Sequence, residues 1–300
     1  MNLPACLAAL PPGYRLLKGE RGVLVVRDEY SASLVEAGFG PDGHWDFPAS
    51  DVSGRRPLGA LNVNGEDLLV RQYHHGGMLR FLSGDRFTDT ARPFEELLLS
   101  SRLQTLGIPT PCIVGARIQR SFGPYWRMGL VSVREPGTQD SARAIRSAVD
   151  AHAARPLLAA MGEFVGRLHR EGLLHVDLHP GNMLTELGWE VSRAPNLWIL
   201  DLDRCSLESE LSDAQRLGML ARFFRYALRR PALSSKVLSH TNVMRFVRGY
   251  CRGAGRVEGD HSWKQEWREV SRGLAARAKR HRLGWRVEEF FGAGAQTRQQ

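Results

Sequence analysis

Cysteine is scarce in this chain. Its four residues, Cys6, Cys112, Cys205 and Cys251, lie far apart and form no Cys-x-x-Cys pair. Thiols so scattered supply neither a zinc knuckle nor the dense disulfide framework of a small secreted domain, and they suit a reducing cytosol. Long apolar runs are missing too. No stretch approaches about 18 uncharged apolar residues, so no transmembrane helix is expected and any membrane association must be peripheral. The opening MNLPACLAALPPG lacks a basic segment, and prolines break its short apolar run, which argues against a signal peptide. There is no internal repeat and no long low-complexity tract. The helix-turn-helix, zinc and aromatic RNA-binding signatures are absent, so a nucleic-acid partner is not expected.

What is present suits a globular protein. Apolar residues make up 43% of the 300 and charged residues 24%, enough to build a buried core. At roughly 150 residues per domain, the length allows one or two domains. Lys and Arg number 41 against 32 Asp and Glu, a formal charge of +9. That balance favours anionic partners, whether nucleic acid, an anionic membrane surface or phosphorylated glycans, and says nothing about fold.

The hydrophobic period changes once along the chain. From Gly22 to about Val133 it is strand-like. GVLVVRDEY and EDLLVRQY read as half-buried strands, and Asn64-Gly65 between LNV and EDLLV signals a type I′ hairpin. ARPFEELLLSSRLQTLGIPTP places Phe94, Leu97, Leu98, Leu103 and Leu106 near helical spacing, with a proline in the first turn and Gly107 at the end. IVGARIQR and YWRMGLVSV follow as two further strands. From Arg155 the period becomes helical, with Leu157, Leu158, Met161, Phe164, Val165 and Leu168 on one stripe ending at Gly172. Beyond two short strands, MLTEL and NLWILDLD, the remainder is mostly helical and arginine-rich. EPGTQDSA, where the period changes, is the candidate hinge. The expectation is an α+β chain of two lobes: residues 1–133 with an antiparallel sheet and one helix, and residues 134–300, mostly helical.

The chemistry concentrates in HVDLHPGN, His175 to Asn182. Asp177 precedes Asn182 by five positions, the catalytic-loop spacing of protein-kinase-like enzymes, and Asp201 ends the next apolar strand. Phosphoryl transfer needs an acceptor-orienting carboxylate, oxygen ligands for Mg²⁺ and a cation on the phosphates. Asp177 fits the base, and Asn182 with Asp201 fits a hard cation better than a histidine pair would. Upstream, Arg71 in LLVR stands where a strand carries the phosphate-binding cation, with Glu96 on the following helix as its ion-pair partner in preference to Glu95.

VRQYHHGGMLRFLSGDRF, FEELLLSSRLQTLGIPTP, LLHVDLHPGNML and WILDLDRC together resemble the lipopolysaccharide core kinase family of Gram-negative bacteria, a branch of the protein-kinase-like fold. Within it they are most similar to the 3-deoxy-manno-octulosonic acid (Kdo) kinases. The resemblance covers roughly Gly54 to Arg230, with a looser echo in RFVRGYC. It implies a bilobal kinase with a nucleotide-binding first lobe and a catalytic, acceptor-binding second lobe. It further implies transfer of the ATP γ-phosphate, with Mg²⁺, to a sugar hydroxyl of lipid A–linked core oligosaccharide at the cytoplasmic face of the inner membrane. By the same matching Asp177 is the base, Asn182 and Asp201 hold Mg²⁺, and Arg71 with Glu96 organises the phosphates. The glycine-rich loop is represented only by SGRRPLG, with Gly54 and Gly59. Asn182 and Asp201 stand nineteen positions apart, so WEVSRAP reads as an insertion. Asp177-Leu-His-Pro-Gly-Asn is also similar to aminoglycoside- and choline-type kinases. A small-molecule kinase, a minimal protein kinase and a non-catalytic kinase-like binding protein are therefore the alternatives.

Other signals carry two readings each. His175 and His179 with Asp177 could ligate a metal, although no third nitrogen or thiol follows at suitable spacing, and a loop histidine more often braces the turn. Asp203 either assists the metal or pairs with Arg204. Arg222, Arg225 and Arg229 form either a solvated face opposite Leu217, Leu220, Phe224 and Leu228, or a contact for glycolipid anions and lipid headgroups. Trp263, Trp267 and Trp285 are core residues or interfacial anchors.

Overall fold

The computed structural model describes residues 4–52, 58–74, 86–191 and 194–255, with 268, 271 and 272 as isolated positions. The chain separates into two compact units. The first comprises the residues up to Pro136 together with Leu202–Arg204, and the second runs from Gly137 to Asp201 and resumes at Cys205. None of the four cysteines is in a disulfide.

The first unit is built on a six-stranded antiparallel sheet in the order β1-β2-β5-β6-β4-β3. Its strands are β1 (Tyr14–Lys18), β2 (Gly22–Arg27), β3 (Gly59–Val63), β4 (Glu66–Gln72), β5 (Ile113–Arg120) and β6 (Trp126–Val133). GVLVV shows no hydrophobic alternation because both faces of β2 are covered. Val23 and Val25 join Ala116, Ile118, Met128 and Leu130 against Phe94 and Leu97. Leu24 and Val26 join Val70, Val114 and Val131 against Tyr30, Leu34 and Phe39 on the other side. The latter three come from a helical stretch after β2 that includes α1 (Ser31–Leu34) and a π-turn at Val35–Phe39. α2 (Arg92–Thr105) supplies the first cover, with Pro93 in its opening turn and Gly107 beyond its end at φ 68°. Asn64 and Gly65 both have positive φ, 55° and 82°, as a type I′ hairpin requires.

Arg117 fastens the segment after α1 to the sheet. Its buried guanidinium donates to the carbonyls of Gly40 (2.9 Å) and His44 (2.5 Å) and lies between the rings of Phe39 (4.3 Å) and Trp45 (3.9 Å). Burial pulls its pKa down to about 9, so the group stays charged at neutral pH.

The second unit begins with β7 (Thr138–Asp140) and α3 (Ser141–Ser147), whose first turn is capped by the Asp140 carboxylate accepting from Arg143 N–H. α4 (Arg155–Arg170) runs into β8 (Leu173–Leu174) through Gly172, at φ 80°. β9 (Met183–Glu186) and β10 (Leu197–Ile199) complete a three-stranded sheet, β10-β9-β7, and β11 (Ser206–Leu207) pairs with β8. α5 (Asp213–Leu228), α6 (Pro231–Val237) and α7 (His240–Gly253) follow. α4 and α7 meet backbone to backbone. A Cβ on Gly162 would lie 2.0 Å from the Phe246 carbonyl oxygen, and one on Gly253 would lie 1.9 Å from that of Glu163. Gly166 and Gly249 make the same kind of approach, so glycine is required at this crossing.

Some expectations need correction. The strand read as GVLVVRDEY ends at Arg27, and Asp28–Tyr30 is a 3₁₀ turn. β1 precedes the zone taken to be strand-like, and the helical cover at residues 28–39 was unforeseen. Gly54, the Gly76-Gly77 pair of VRQYHHGGMLRFLSGDRF and the tryptophans Trp263, Trp267 and Trp285 lie outside the described residues.

Candidate active site

In the first unit, β4 and α2 bring Arg71 and Glu96 together. Arg71 Nη2 donates to Glu96 Oε2, and the Tyr73 hydroxyl donates to the same oxygen. Arg71 Nη2 also reaches Tyr73 Oη at 3.2 Å. Glu96 is 5% exposed and the Arg71 side chain 32%, so the carboxylate is an internal anchor and the guanidinium reaches outward. Glu95 is exposed in the first turn. Burial, then the Glu96 charge, pushes the Tyr73 hydroxyl well above its ordinary pKa and keeps it a neutral donor.

A second ion pair lies beside the first. Arg92 Nε is 3.0 Å from Asp203 Oδ1 while Nη2 holds Oδ2, a two-point contact. The Arg92 guanidinium also rests over the rings of Tyr73 (5.3 Å) and Phe87 (5.4 Å). Asp203 thus engages Arg92, an arrangement the sequence reading did not contain. Nothing local in the sequence marks Tyr73 as a site residue. A hint for Arg92 existed, since a cation in a helix's first turn opposes the helix dipole and calls for a compensating anion.

Gly59 opens β3 and forms an antiparallel bridge with Ala49. Ser50 N–H donates to the Leu58 carbonyl, which joins the chain before and after residues 53–57, themselves outside the described residues. A Cβ on Gly59 would stand 2.8 Å from Phe47 Cβ, which gives this glycine a packing reason of its own.

In the second unit, hydrogen bonds tie Asp177, Asn182 and the residue before Asp201 into one network. His175, 1% exposed, accepts from Asp177 N–H at Nδ1 (3.2 Å) and donates from Nε2 to the Leu200 carbonyl (2.9 Å). It thereby braces the loop from His175 to Asn182 against the strand end that presents Asp201. Burial lowers its pKa and keeps the ring neutral. With both nitrogens engaged by main chain, His175 is a brace and the metal-ligand reading for it falls. Asn182 Nδ2 donates to the Asp177 carbonyl (2.9 Å), which leaves Oδ1 as the atom suited to a cation. Leu200 N–H donates to the Asn182 carbonyl (2.9 Å), which sets Asp201 one residue from Asn182's cross-strand neighbour. His179 accepts from Gly181 N–H, stacks on Tyr226 at 4.0 Å, and turns Nε2 toward Asp177 Oδ2 at 3.4 Å.

Asp201 is exposed and adopts φ 58°, as does Arg204. Left-handed backbone at two non-glycine residues is strain of the kind found at functional sites. The oxygens of Asn182 and Asp201 are hard donors, and Mg²⁺ commonly takes one or two protein ligands and completes its shell with phosphate and water. The donor chemistry therefore fits Mg²⁺. Among the described residues no group of three or more His, Cys, Asp or Glu is arranged to hold a metal. The connection read as an insertion is part of the fold, because Trp189 within it is fully buried. On α5, Leu220 and Phe224 are buried while Arg222 and Arg229 are exposed.

A model of the lipopolysaccharide kinase (Kdo/WaaP) family matches residues 49–250. The chain belongs to that family. Similar proteins include the 3-deoxy-D-manno-octulosonic acid kinase of Xylella fastidiosa strain M23, 27% identical over 246 residues that span 80% of this chain and 94% of the relative. The same-named kinase of Actinobacillus succinogenes is 28% identical over 173 residues, 56% of this chain and 69% of that one. Among solved structures, WaaP in complex with acyl carrier protein shares the fold, at a TM-score of 0.55 and 20% identity, covering 88% of this chain and 93% of that one. Membership makes this lipopolysaccharide kinase family protein a phosphotransferase acting on a sugar hydroxyl. Its fold is the mixed α/β, kinase-like one expected from the sequence.

Proposed function

We propose that the protein transfers the γ-phosphoryl group of Mg-ATP to a hydroxyl of 3-deoxy-D-manno-octulosonic acid in the lipopolysaccharide inner core. The observation that carries this reading is the hydrogen-bonded set of Asp177, Asn182 and the Leu200–Asp201 strand end, with His175 bracing both sides. The acceptor follows from the names of the similar kinases.

The first unit supplies phosphate contacts through Arg71, whose guanidinium is held in one orientation by Glu96 and Tyr73 and stays charged at any working pH. Asn182 Oδ1 and the Asp201 carboxylate would hold Mg²⁺, which would supply positive charge against the β- and γ-phosphates. Asp177 accepts the proton as the acceptor oxygen bonds to the γ-phosphorus; the bond from that phosphorus to the β–γ bridging oxygen breaks, and ADP departs with the electron pair. The second unit thus provides the base and the acceptor contacts. A lipid-linked acceptor places the work at the cytoplasmic face of the inner membrane. No helix among the described residues is long and apolar enough to cross a membrane, which suits peripheral association.

The test combines titration calorimetry with a transfer assay. Mg-ATP should bind the wild type and bind Asp201→Asn about tenfold or more weakly, and label from ATP should pass to Kdo–lipid A but not to soluble amino alcohols. Equal Mg-ATP binding by Asp201→Asn, or transfer confined to the amino alcohols, would overturn the reading.

A further inference from the structure

From Ala214 to Gly255 the chain carries nine Lys and Arg and no Asp or Glu. Several of these cations are engaged structurally. Arg216 pairs with Asp213, Arg252 with Glu163, and Lys236 donates to main-chain carbonyls. Arg230 also bonds a main-chain carbonyl, yet it, Arg222 and Tyr226 have a setting of their own. Arg222 and Tyr226, four residues apart, share one stripe of α5, and Arg230, in the turn between α5 and α6, reaches back over the Tyr226 ring.

That stripe lies along the catalytic loop. The Tyr226 ring stacks on His179 at 4.0 Å and 16°, and His179 faces Asp177. Tyr226 Oη passes so close over Gly181 that a Cβ there would stand 2.6 Å from it. Arg230 caps the stack, its Cζ 3.6 Å from the Tyr226 ring centroid and its Nη1 bonded to the Tyr226 carbonyl. Arg230, Tyr226 and His179 thus form a stack that leads to the base, and the exposed Arg222 lies one helical turn before Tyr226 on α5.

Resting on the function proposed above, we infer that the Arg222–Tyr226–Arg230 cluster seats the carboxylate of an acidic sugar acceptor. Such an acceptor must approach the Asp177 carboxylate and the γ-phosphate, both anionic. Cations other than those on ATP have to offset that repulsion. An arginine fork binds a carboxylate at two points, and the Tyr226–His179 stack fixes where the fork sits.

The test measures equilibrium binding, without ATP, of a deacylated acidic acceptor and of its methyl ester. The wild type should bind the acid about tenfold or more tightly than the ester, and Arg222→Gln and Arg230→Gln should each lose most of that preference. In turnover with saturating ATP, each variant should show a raised acceptor KM and a kcat within about threefold of wild type. Arg230 also holds a main-chain carbonyl, so Arg222→Gln is the variant that decides if Arg230→Gln misfolds. Equal wild-type affinity for acid and ester, or full acid preference in Arg222→Gln, overturns the inference whatever the transfer assay gives. Acid preference without any phosphate transfer would refute the proposed function and leave this binding site standing. A third arm uses anionic vesicles lacking acceptor. If the variants lose vesicle binding but keep acid preference, the cluster is a membrane contact and the inference fails.

Discussion

Glu96→Gln removes one charge and almost no volume, so it isolates what the buried carboxylate does. Glu96 accepts from both Arg71 and Tyr73 and is 5% exposed. Breaking a fully buried ion pair costs about 3–5 kcal/mol, because it strands the partner charge. Arg71, however, keeps 32% of its side chain in water, and solvent takes over part of the lost interaction. A cost of about 1–3 kcal/mol follows, or a Tm lower by roughly 2–10 °C for a chain of this size. The catalytic loss should be larger. If Arg71 contacts the phosphates as proposed, a guanidinium released from its anchor would no longer meet them in a fixed geometry, and losing one preorganised donor lowers turnover about 10²–10³-fold. Thermal unfolding by circular dichroism and kcat/KM for ATP measure the two effects separately. Glu95→Gln is the internal control; that side chain is exposed, and the substitution should leave both quantities near wild type. A Glu96→Gln enzyme with wild-type kcat/KM for ATP would refute the reasoning, as would equal losses from the two substitutions.

Two further outcomes follow from the second unit. Gly162→Ala places a Cβ 2.0 Å from the Phe246 carbonyl oxygen and forces α4 and α7 apart, so chemical denaturation should show a loss of about 2–4 kcal/mol; a gain in stability would contradict the backbone-to-backbone crossing. His175 has its pKa lowered by burial from an ordinary value near 6.5. The unfolded chain therefore binds a proton first as pH falls, so the stability due to the neutral ring is complete above about pH 6.5 and is lost as pH drops toward the folded-state value. Unfolding of wild type and His175→Gln between pH 7.5 and 5 checks this. The variant should lose the acid-side decline, and identical slopes would count against the brace.

Much of this was legible in sequence because the signals were local. The Asn64-Gly65 turn, the proline-opened and glycine-closed α2 and the α4 stripe each depend on residues a few positions apart. What was not legible depends on partners distant in sequence. Tyr73 reads as the end of a strand until α2 folds Glu96 against it, and Asp203 meets Arg92 across more than a hundred residues. Arg117 on β5 has no counter-ion in sequence to announce it, since carbonyls and aromatic faces hold its charge. The helical cover at residues 28–39 is irregular, with Gly38 at φ 85° inside it, and offers no clean period to detect. The glycines of α4 and α7 would count as helix-weakening until the two helices are seen to touch.

The account rests on Asp177 taking a proton while a sugar hydroxyl attacks the γ-phosphorus. The direct measurement is single-turnover transfer from γ-labelled ATP to Kdo–lipid A by the purified full chain, with the product located by mass spectrometry. Wild type should place label on the sugar, and Asp177→Asn should slow that step about a hundredfold or more while it still binds Mg-ATP and unfolds at the wild-type temperature. Transfer by Asp177→Asn at the wild-type rate would contradict the account.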